Sequence, residues 1–376
     1  MFRWRPVHHP WGICLRVAIF HDYFSSIGGG EKLVLTLARH LKADIITTEV
    51  SRPLVSCLGF DGVNIISLGP LVKLMPLKQV QATLKFASCD FRGRYDFFIF
   101  SGNWAHYASN KHRPNLMYCY TPVRVFYDGR DRIIASQKNP LVKLAVMAWT
   151  AAHSRFDKRS IRRVERMATT SENTARRIKK YYGREAAIVY PPCDTARYRY
   201  TGDDGYWLSV NRLYPEKRID VQLKAFENMP EERLVIVGNC GNGDHSVAYA
   251  RRLKAMLPPN VSIYSDLPEE KLIEHYGRCR GVISTAAGED FGMTAVEAMA
   301  SGKPVIAVRE GGYLESILDG KTGLLIDSTP EALVAAVKSI SRDPSRFKDA
   351  CVERSKKFDV SFFLKNMDGL IGAGDR

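Results

Sequence analysis

Short apolar runs alternate with helix-period segments along most of the chain. Leu15-Arg16-Val17-Ala18-Ile19-Phe20 predicts a first strand, Gly28-Gly29-Gly30 a glycine loop, and Leu33 to Leu41 the helix that follows it. Further strands are predicted at Asp44 to Thr48, Tyr95 to Phe100 and Met117 to Tyr120, with Arg166 to Glu172 as the last strand of this half and its helix cap. Paired prolines at Pro191-Pro192 interrupt the alternation and suit a linker. A second alternation then starts at Tyr206 to Val210 and continues with strands at Leu234 to Val237, Val261 to Tyr264, Gly281 to Ser284 and Val305 to Val308. Ser361 to Ile371 reads as an amphipathic tail helix. This pattern predicts an α/β chain, and 376 residues exceed what one core supports, so two doubly wound domains are expected, 14–190 and 191–358.

Candidate chemistry concentrates between two of these strands. The run Gly288-Glu289-Asp290-Phe291-Gly292-Met293-Thr294 leads from the carboxyl end of Gly281–Ser284 into a helix that Gly302 should end. Unpaired N–H groups at that helix start, near Gly292, Met293 and Thr294, suit a phosphate. Glu289 in the loop and Glu297 one turn into the helix flank the anion site with acceptors, which sugar hydroxyls need. After the first strand of the second domain, Arg212 and Lys217 offer a forked donor set and a point charge, both appropriate to a pyrophosphate. Taken singly, such charges are ordinary solvated residues; their shared place at strand ends makes them a site.

Composition narrows the setting. Eight cysteines without a Cys-x-x-Cys pair argue against a disulfide framework or zinc site and for a reducing cytoplasm. No run of eighteen apolar residues suggests a membrane span. Residues 1–190 hold 30 Lys+Arg against 13 Asp+Glu, a net of +17, while the remainder holds 25 against 27, a net of −2. This one-sided field points to an anionic partner. The apolar stretch Pro140 to Ala152, followed by Arg155, Lys158, Arg159, Arg162, Arg163 and Arg166, suits a helix on an anionic bilayer, as does a second stretch at Leu68 to Ala87. A plain core helix is the competing reading. Nucleic acid, the other anionic partner, is not expected: the chain carries no helix-turn-helix, zinc-finger or RNP-like string.

The string Gly288 to Ile306 resembles the Glu-x7-Glu signature of family 4 retaining glycosyltransferases of the GT-B fold, and Arg212 with Lys217 resembles that family's Arg-x4-Lys element. Gly28-Gly29-Gly30 is similar to its Gly-Gly-x-Glu loop. Tyr118-Cys119-Tyr120-Thr121-Pro122-Val123-Arg124 with Tyr127-Asp128 resembles a string of bacterial and archaeal mannosyltransferases that build surface polysaccharides and lipid-linked glycans. The resemblance runs from Val17 to roughly Ile371 and is strongest from Trp207 to Asp327.

It implies two Rossmann-like domains facing a central cleft, with the tail 359–376 completing the first. It implies a hexosyltransferase acting with retention, mannose favoured and GDP-mannose the favoured donor, a UDP-sugar transferase or sugar-nucleotide epimerase being the alternatives. Glu297 would hold ribose hydroxyls and Glu289 donor-sugar hydroxyls. The amides of Phe291, Gly292 and Met293, beside Thr294, would take the sugar and distal phosphate, and Asp266-Leu267-Pro268 would border the base. Arg212 and Lys217 would stabilise the departing diphosphate. Gly29 and Gly30 would let backbone approach donor and acceptor. Tyr120 stands where many relatives carry His and would supply a hydroxyl hydrogen bond, with His21 and His106 as other candidates. The implied partners are a nucleotide sugar, a glycan or lipid-linked acceptor and an anionic membrane at its cytoplasmic face. No cofactor or metal is implied, since no Asp-x-Asp site is present. Glycosidases also use two carboxylates, but the diphosphate cradle argues against hydrolysis.

Overall fold

The computed structural model describes residues 15–24, 28–74, 76–238, 244–265 and 267–372. Residues 14 and 373–376, at the expected edges of the first domain, and Asp266 lie outside this set. The chain divides into two compact units. One runs to Val189 and resumes at Leu364; the other is Tyr190–Phe363.

The first unit is built on seven parallel strands: β1 (Val17–His21), β2 (Asp44–Thr47), β3 (Ile65–Ser67), β4 (Phe97–Ser101), β5 (Asn115–Cys119), β6 (Arg166–Thr169) and β7 (Ala187–Ile188). Their order is β3-β2-β1-β4-β5-β6-β7. Strands β1, β4 and β5 are buried along their whole length, because helices cover both faces of a parallel sheet. Phe20 anchors this core, its ring 5.6 Å from Phe100 and 5.9 Å from Phe91. Each such ring contributes about 1.5–3 kcal/mol by leaving water.

The second unit has six parallel strands: β8 (Tyr206–Val210), β9 (Arg233–Val237), β10 (Val261–Tyr264), β11 (Gly281–Ser284), β12 (Val305–Val308) and β13 (Gly323–Ile326), in the order β10-β9-β8-β11-β12-β13. In both sheets the winding reverses beside the first strand, between β1 and β4 and between β8 and β11. Ligands of doubly wound sheets bind outside the carboxyl ends of the strands at such a point.

Five strands depart from the sequence reading: Tyr23–Phe24 and Glu49–Val50, which pair as a separate two-stranded sheet, and three in the main sheets. Ile65–Ser67, Ala187–Ile188 and Gly323–Ile326 were not expected, and Arg166–Thr169 is therefore not the last strand of its sheet. The first helix also starts earlier than Leu33. It spans Gly29–Leu41, so the glycine run lies partly inside its first turn, where Glu31 accepts a hydrogen bond from the Gly28 N–H at 2.7 Å. The residues after the paired prolines are stitched into the second unit: Cys193 N–H donates to Phe358 O and accepts at its own carbonyl from Val360 N–H. The last helix, Val360–Gly372, is split by the boundary between units. Its final carbonyls, on Leu370 and Ile371, accept from Arg166 Nη1 at 2.6 and 3.1 Å. Among the described residues no helix is long and apolar enough to cross a membrane.

Candidate functional site

The loops leaving β8 and β11 are sewn together by side chain and backbone. Thr285, just past β11, donates its hydroxyl to the carbonyls of Lys217 and Arg218 at 2.8 and 3.1 Å. Ala287 N–H donates to Glu216 O at 2.8 Å. This stitching brings the short turn Pro215–Lys217 against the loop before helix Met293–Ala300 and sets Lys217 Nζ 2.7 Å from Glu289 Oε2. Both side chains remain partly exposed, at 27% and 22%. Lysine has three donors and a carboxylate several acceptor positions, so the pair keeps capacity for a ligand. Arg212 is exposed on the same loop.

The helix start demands glycine at 292 for two reasons. Gly292 has φ +91°, and a Cβ there would fall 2.6 Å from the Tyr313 ring. Past it, Met293, Thr294 and Glu297 are half-buried, while Ala295, Val296 and Ala298 are buried, so the three form the accessible side of the helix. Phe291 faces the core instead: its ring is 3% exposed and lies 5.2 Å from both Tyr190 and Phe358. Only its backbone can serve a ligand. Glu297 Oε2 accepts the Tyr276 hydroxyl at 2.7 Å. Burial, reinforced by the Glu297 charge, pushes that phenol well above its usual pKa, so it stays a donor. At the other end Gly302, with φ +68°, closes the helix through its N–H to Met299 O, and Lys303 N–H reaches Ala298 O.

Sequence reasoning missed Glu310-Gly311-Gly312, after β12, and Tyr276. A Cβ on Gly311 would lie 2.3 Å from Glu289 O, and one on Gly312 2.3 Å from the Phe291 Cα. Gly312 N–H donates to Glu289 O at 2.8 Å. The two glycines are the surface on which the Glu289 loop rests, and the signal for them was a Gly-Gly separated by two residues from an apolar strand. Leu267 packs against the core at the end of β10.

In the first unit the expected donor-side residues form their own cluster. The Tyr120 hydroxyl donates to Gly30 O at 3.0 Å and accepts from Ser101 Oγ at 2.8 Å. His21 Nδ1 lies 3.4 Å from that Ser101 Oγ, and a Cβ on Gly30 would sit 3.3 Å from the Tyr120 ring. Burial pushes the Tyr120 phenol far up, and its single proton is committed to the glycine loop. Tyr120 thus buttresses Gly30 from beneath, while Gly29 is exposed. Asp22 is buried and accepts backbone N–H groups of Asn103, Trp104 and Ala105 at 2.6–2.9 Å. His106 is a core residue, 1% exposed, with Nε2 3.1 Å from the buried Asp157 carboxylate. Among the described residues no group of three or more His, Cys, Asp or Glu side chains is arranged to hold a metal.

The apolar-then-basic segment forms helix Pro140–Ile161. Its second half has a core face of Thr150, His153, Asp157, Ser160 and Ile161. Its first half does not: residues 140–145 are exposed on every side, with Leu141 at 76% and Leu144 at 64%. Helix Leu77–Ser88 meets it through Thr83 Oγ1 and His153 Nε2, 3.2 Å apart, and exposes Leu77 and Leu84. Apart from the buried Asp157, neither helix carries an acid.

Residues 196–358 match the family Glycosyl transferases group 1. The alpha-1,3/1,6-mannosyltransferase ALG2 of Dictyostelium discoideum is 30% identical over 192 residues, 45% of this chain and 46% of that protein. The GDP-mannose-dependent alpha-(1-6)-phosphatidylinositol monomannoside mannosyltransferase of Mycolicibacterium smegmatis is 30% identical over 205 residues, 47% of this chain and 53% of the other. The chain spans about half the length of the curated relatives it matches. Among solved structures, Anabaena Alr3699/HepE in complex with UDP and glucose superposes with a TM-score of 0.74 at 16% identity, covering 96% of this chain and all of that one. Sucrose-phosphate synthase from Thermosynechococcus elongatus superposes at 0.73 with 18% identity, covering 94% and 98%.

Proposed function

We propose that this chain, which has the GT-B fold and whose residues 196–358 form a glycosyl transferases group 1 domain, is a retaining hexosyltransferase that moves mannose from GDP-mannose to a glycan or lipid-linked acceptor. The observation that carries the reading is the Lys217–Glu289 pair, 2.7 Å apart at the switch point of the second sheet and beside a helix N-terminus. Mannose is favoured because two relatives near 30% identity carry mannosyltransferase names, one of them GDP-mannose-dependent.

In this reading the diphosphate lies against the N–H groups that open helix Met293–Ala300, with Lys217 and Arg212 answering its charge. Glu289 accepts from hydroxyls of the transferred sugar, and Glu297, held by Tyr276, accepts from the ribose. The anomeric C–O bond to the diphosphate breaks and the acceptor hydroxyl oxygen forms the new bond on the same face. The hydroxyl proton leaves with the departing diphosphate. Preorganised positive charge at the leaving group is the main source of rate, and no step requires a metal.

The acceptor is met at an anionic membrane, with the first unit supplying the docking face. The +17 charge of residues 1–190 and the exposed leucines of helices Pro140–Ile161 and Leu77–Ser88 support this. The experiment is a transfer assay with GDP-mannose, UDP-glucose and UDP-N-acetylglucosamine, in which the product linkage is read by NMR. An α-mannoside from GDP-mannose supports the proposal. Turnover of a UDP-sugar alone would move it to the UDP-sugar reading, and donor conversion without acceptor to an epimerase.

A further inference from the structure

A second ion pair lies directly beside the first and ties together the same loops. Arg218, the residue after Lys217, has φ +48°, one of two non-glycine residues among those described with a left-handed backbone. A side chain in that conformation persists when its surroundings hold it there. Here they do so through Glu310: Arg218 Nη1 lies 2.7 Å from Glu310 Oε1 and donates to Ser328 Oγ at 2.8 Å. The other Glu310 oxygen accepts the Gly288 N–H at 3.3 Å. Glu310 therefore links the residue after Lys217 to the residue before Glu289, from a third loop whose Gly312 N–H holds the Glu289 carbonyl.

The geometry points to Arg218 and Glu310 as positioning residues, a clasp that fixes the spacing of Lys217 and Glu289 without touching the donor. The inference rests on the transferase reading for its consequence and on the contacts of Glu310 with Arg218 and Gly288 for its existence. Lys217 and Glu289 sit on separate loops, so their side-chain contact requires the two backbones to stay in register. Thr285 secures one side of that register through the Lys217 and Arg218 carbonyls. The clasp secures the side nearer Glu289. Removing it leaves the charges of Lys217 and Glu289 present but loosely placed, a fault that lowers turnover more than ground-state binding.

Two variants separate clasp from strain. Arg218→Gly deletes the guanidinium while fitting the left-handed backbone better, and Glu310→Gln keeps an acceptor for Gly288 while removing the charge. Each is assayed for melting temperature, donor KM and kcat, affinity for free GDP and UDP, and amide exchange over residues 285–292. Both should lower kcat on the order of tenfold with donor KM within about twofold. In both, exchange across 285–292 should quicken, and Arg218→Gly should melt no lower than wild type. The Arg218→Gly, Glu310→Gln double variant should fall no further than either single one, because the two act as a unit. Unchanged kcat and unchanged exchange in both single variants would overturn the clasp. If wild type neither binds a nucleoside diphosphate nor transfers a sugar, the transferase reading fails instead, and the exchange result still decides whether the clasp exists.

Discussion

Lys217 Nζ donates to Glu289 Oε2 at 2.7 Å, although the two residues belong to different strand–loop units. Neither charge is sealed from water, so the pair adds little to stability. Its placement matters more: sequence-distant hydrogen bonds from Thr285 and Ala287 align the two loops that carry it. A contact maintained that way, beside a helix start that tolerates no side chain at Gly292, is built to meet a ligand carrying both hydroxyls and negative charge.

Replacing Lys217 by Ala should slow sugar transfer by about 2–4 kcal/mol in activation free energy, as for other preorganised charge stabilisers. Arg212→Ala should act in the same direction, and Arg212→Lys should recover part of the loss, because a point charge lacks the guanidinium fork. Steady-state kinetics with the preferred donor, set beside melting curves, checks this. Near-normal turnover in both alanine variants would remove these residues from the mechanism.

Gly292→Ala is expected to disturb both fold and site. The left-handed backbone alone penalises a Cβ by about 1–2 kcal/mol, and contact with the Tyr313 ring adds to that. Denaturant unfolding should show the loss in stability, and nucleotide affinity should fall with it. A variant as stable as wild type would mean that the turn before the helix differs from the one described.

The helix-opening run with Glu289 and Glu297 was legible because a strand, a glycine turn and a capped helix leave a local signature within some twenty residues. The partners that hold it were not. Tyr276 reaches Glu297 from another helix, and Gly311 and Gly312 bear on Glu289 only through the packing of β12 beside β11. Tyr120 shows the same limit: its place after β5 could be read, but the carbonyl its hydroxyl reaches is 90 residues away. The unexpected strands of the two main sheets are short edge pieces, and Ala187–Ile188, like Tyr23–Phe24 and Glu49–Val50, has only two residues to carry an apolar pattern. Helix Pro140–Ile161 was ambiguous for a physical reason, since its second half is a core helix and its first half is not.

Folding stability should also carry an acid dependence from Glu31. Burial alone would raise its carboxyl, but the His21 ring, with Nε2 3.9 Å from Glu31 Oε1, and backbone N–H groups at Gly28 and Glu31 together outweigh burial and lower its pKa in the folded state. The stabilisation is therefore complete above the ordinary glutamate value of about 4.3 and is lost as pH falls through the lower folded value. Unfolding free energies measured from about pH 7 down to about pH 3 should fall less steeply for Glu31→Gln than for wild type. Identical pH profiles would show that the carboxylate is not held as described.

Membrane docking predicts sedimentation with vesicles that contain phosphatidylglycerol and none with pure phosphatidylcholine, since each basic residue near an anionic surface contributes about 1 kcal/mol. Binding should weaken as salt rises. It should weaken again when Leu141 and Leu144 are replaced by Ser, or Arg155 and Arg159 by Ser, without a change in melting temperature, because all four side chains are exposed. Equal recovery with neutral vesicles would contradict an electrostatic surface. Failure to bind anionic vesicles at low salt would leave those leucines to a protein partner or a second copy of the chain.

The central claim is that Lys217 and Glu289 mark a nucleoside-diphosphate site, and calorimetric titration tests it most directly. GDP and UDP are titrated separately into wild type, Lys217→Ala and a control, Lys338→Ala, whose residue is exposed on helix Pro330–Ser341. Wild type and the control should bind GDP alike and more tightly than UDP, and Lys217→Ala should lose at least tenfold in affinity, about 1.4 kcal/mol. Equal affinity for GDP in Lys217→Ala and wild type, or no binding of either nucleotide by wild type, would contradict the account.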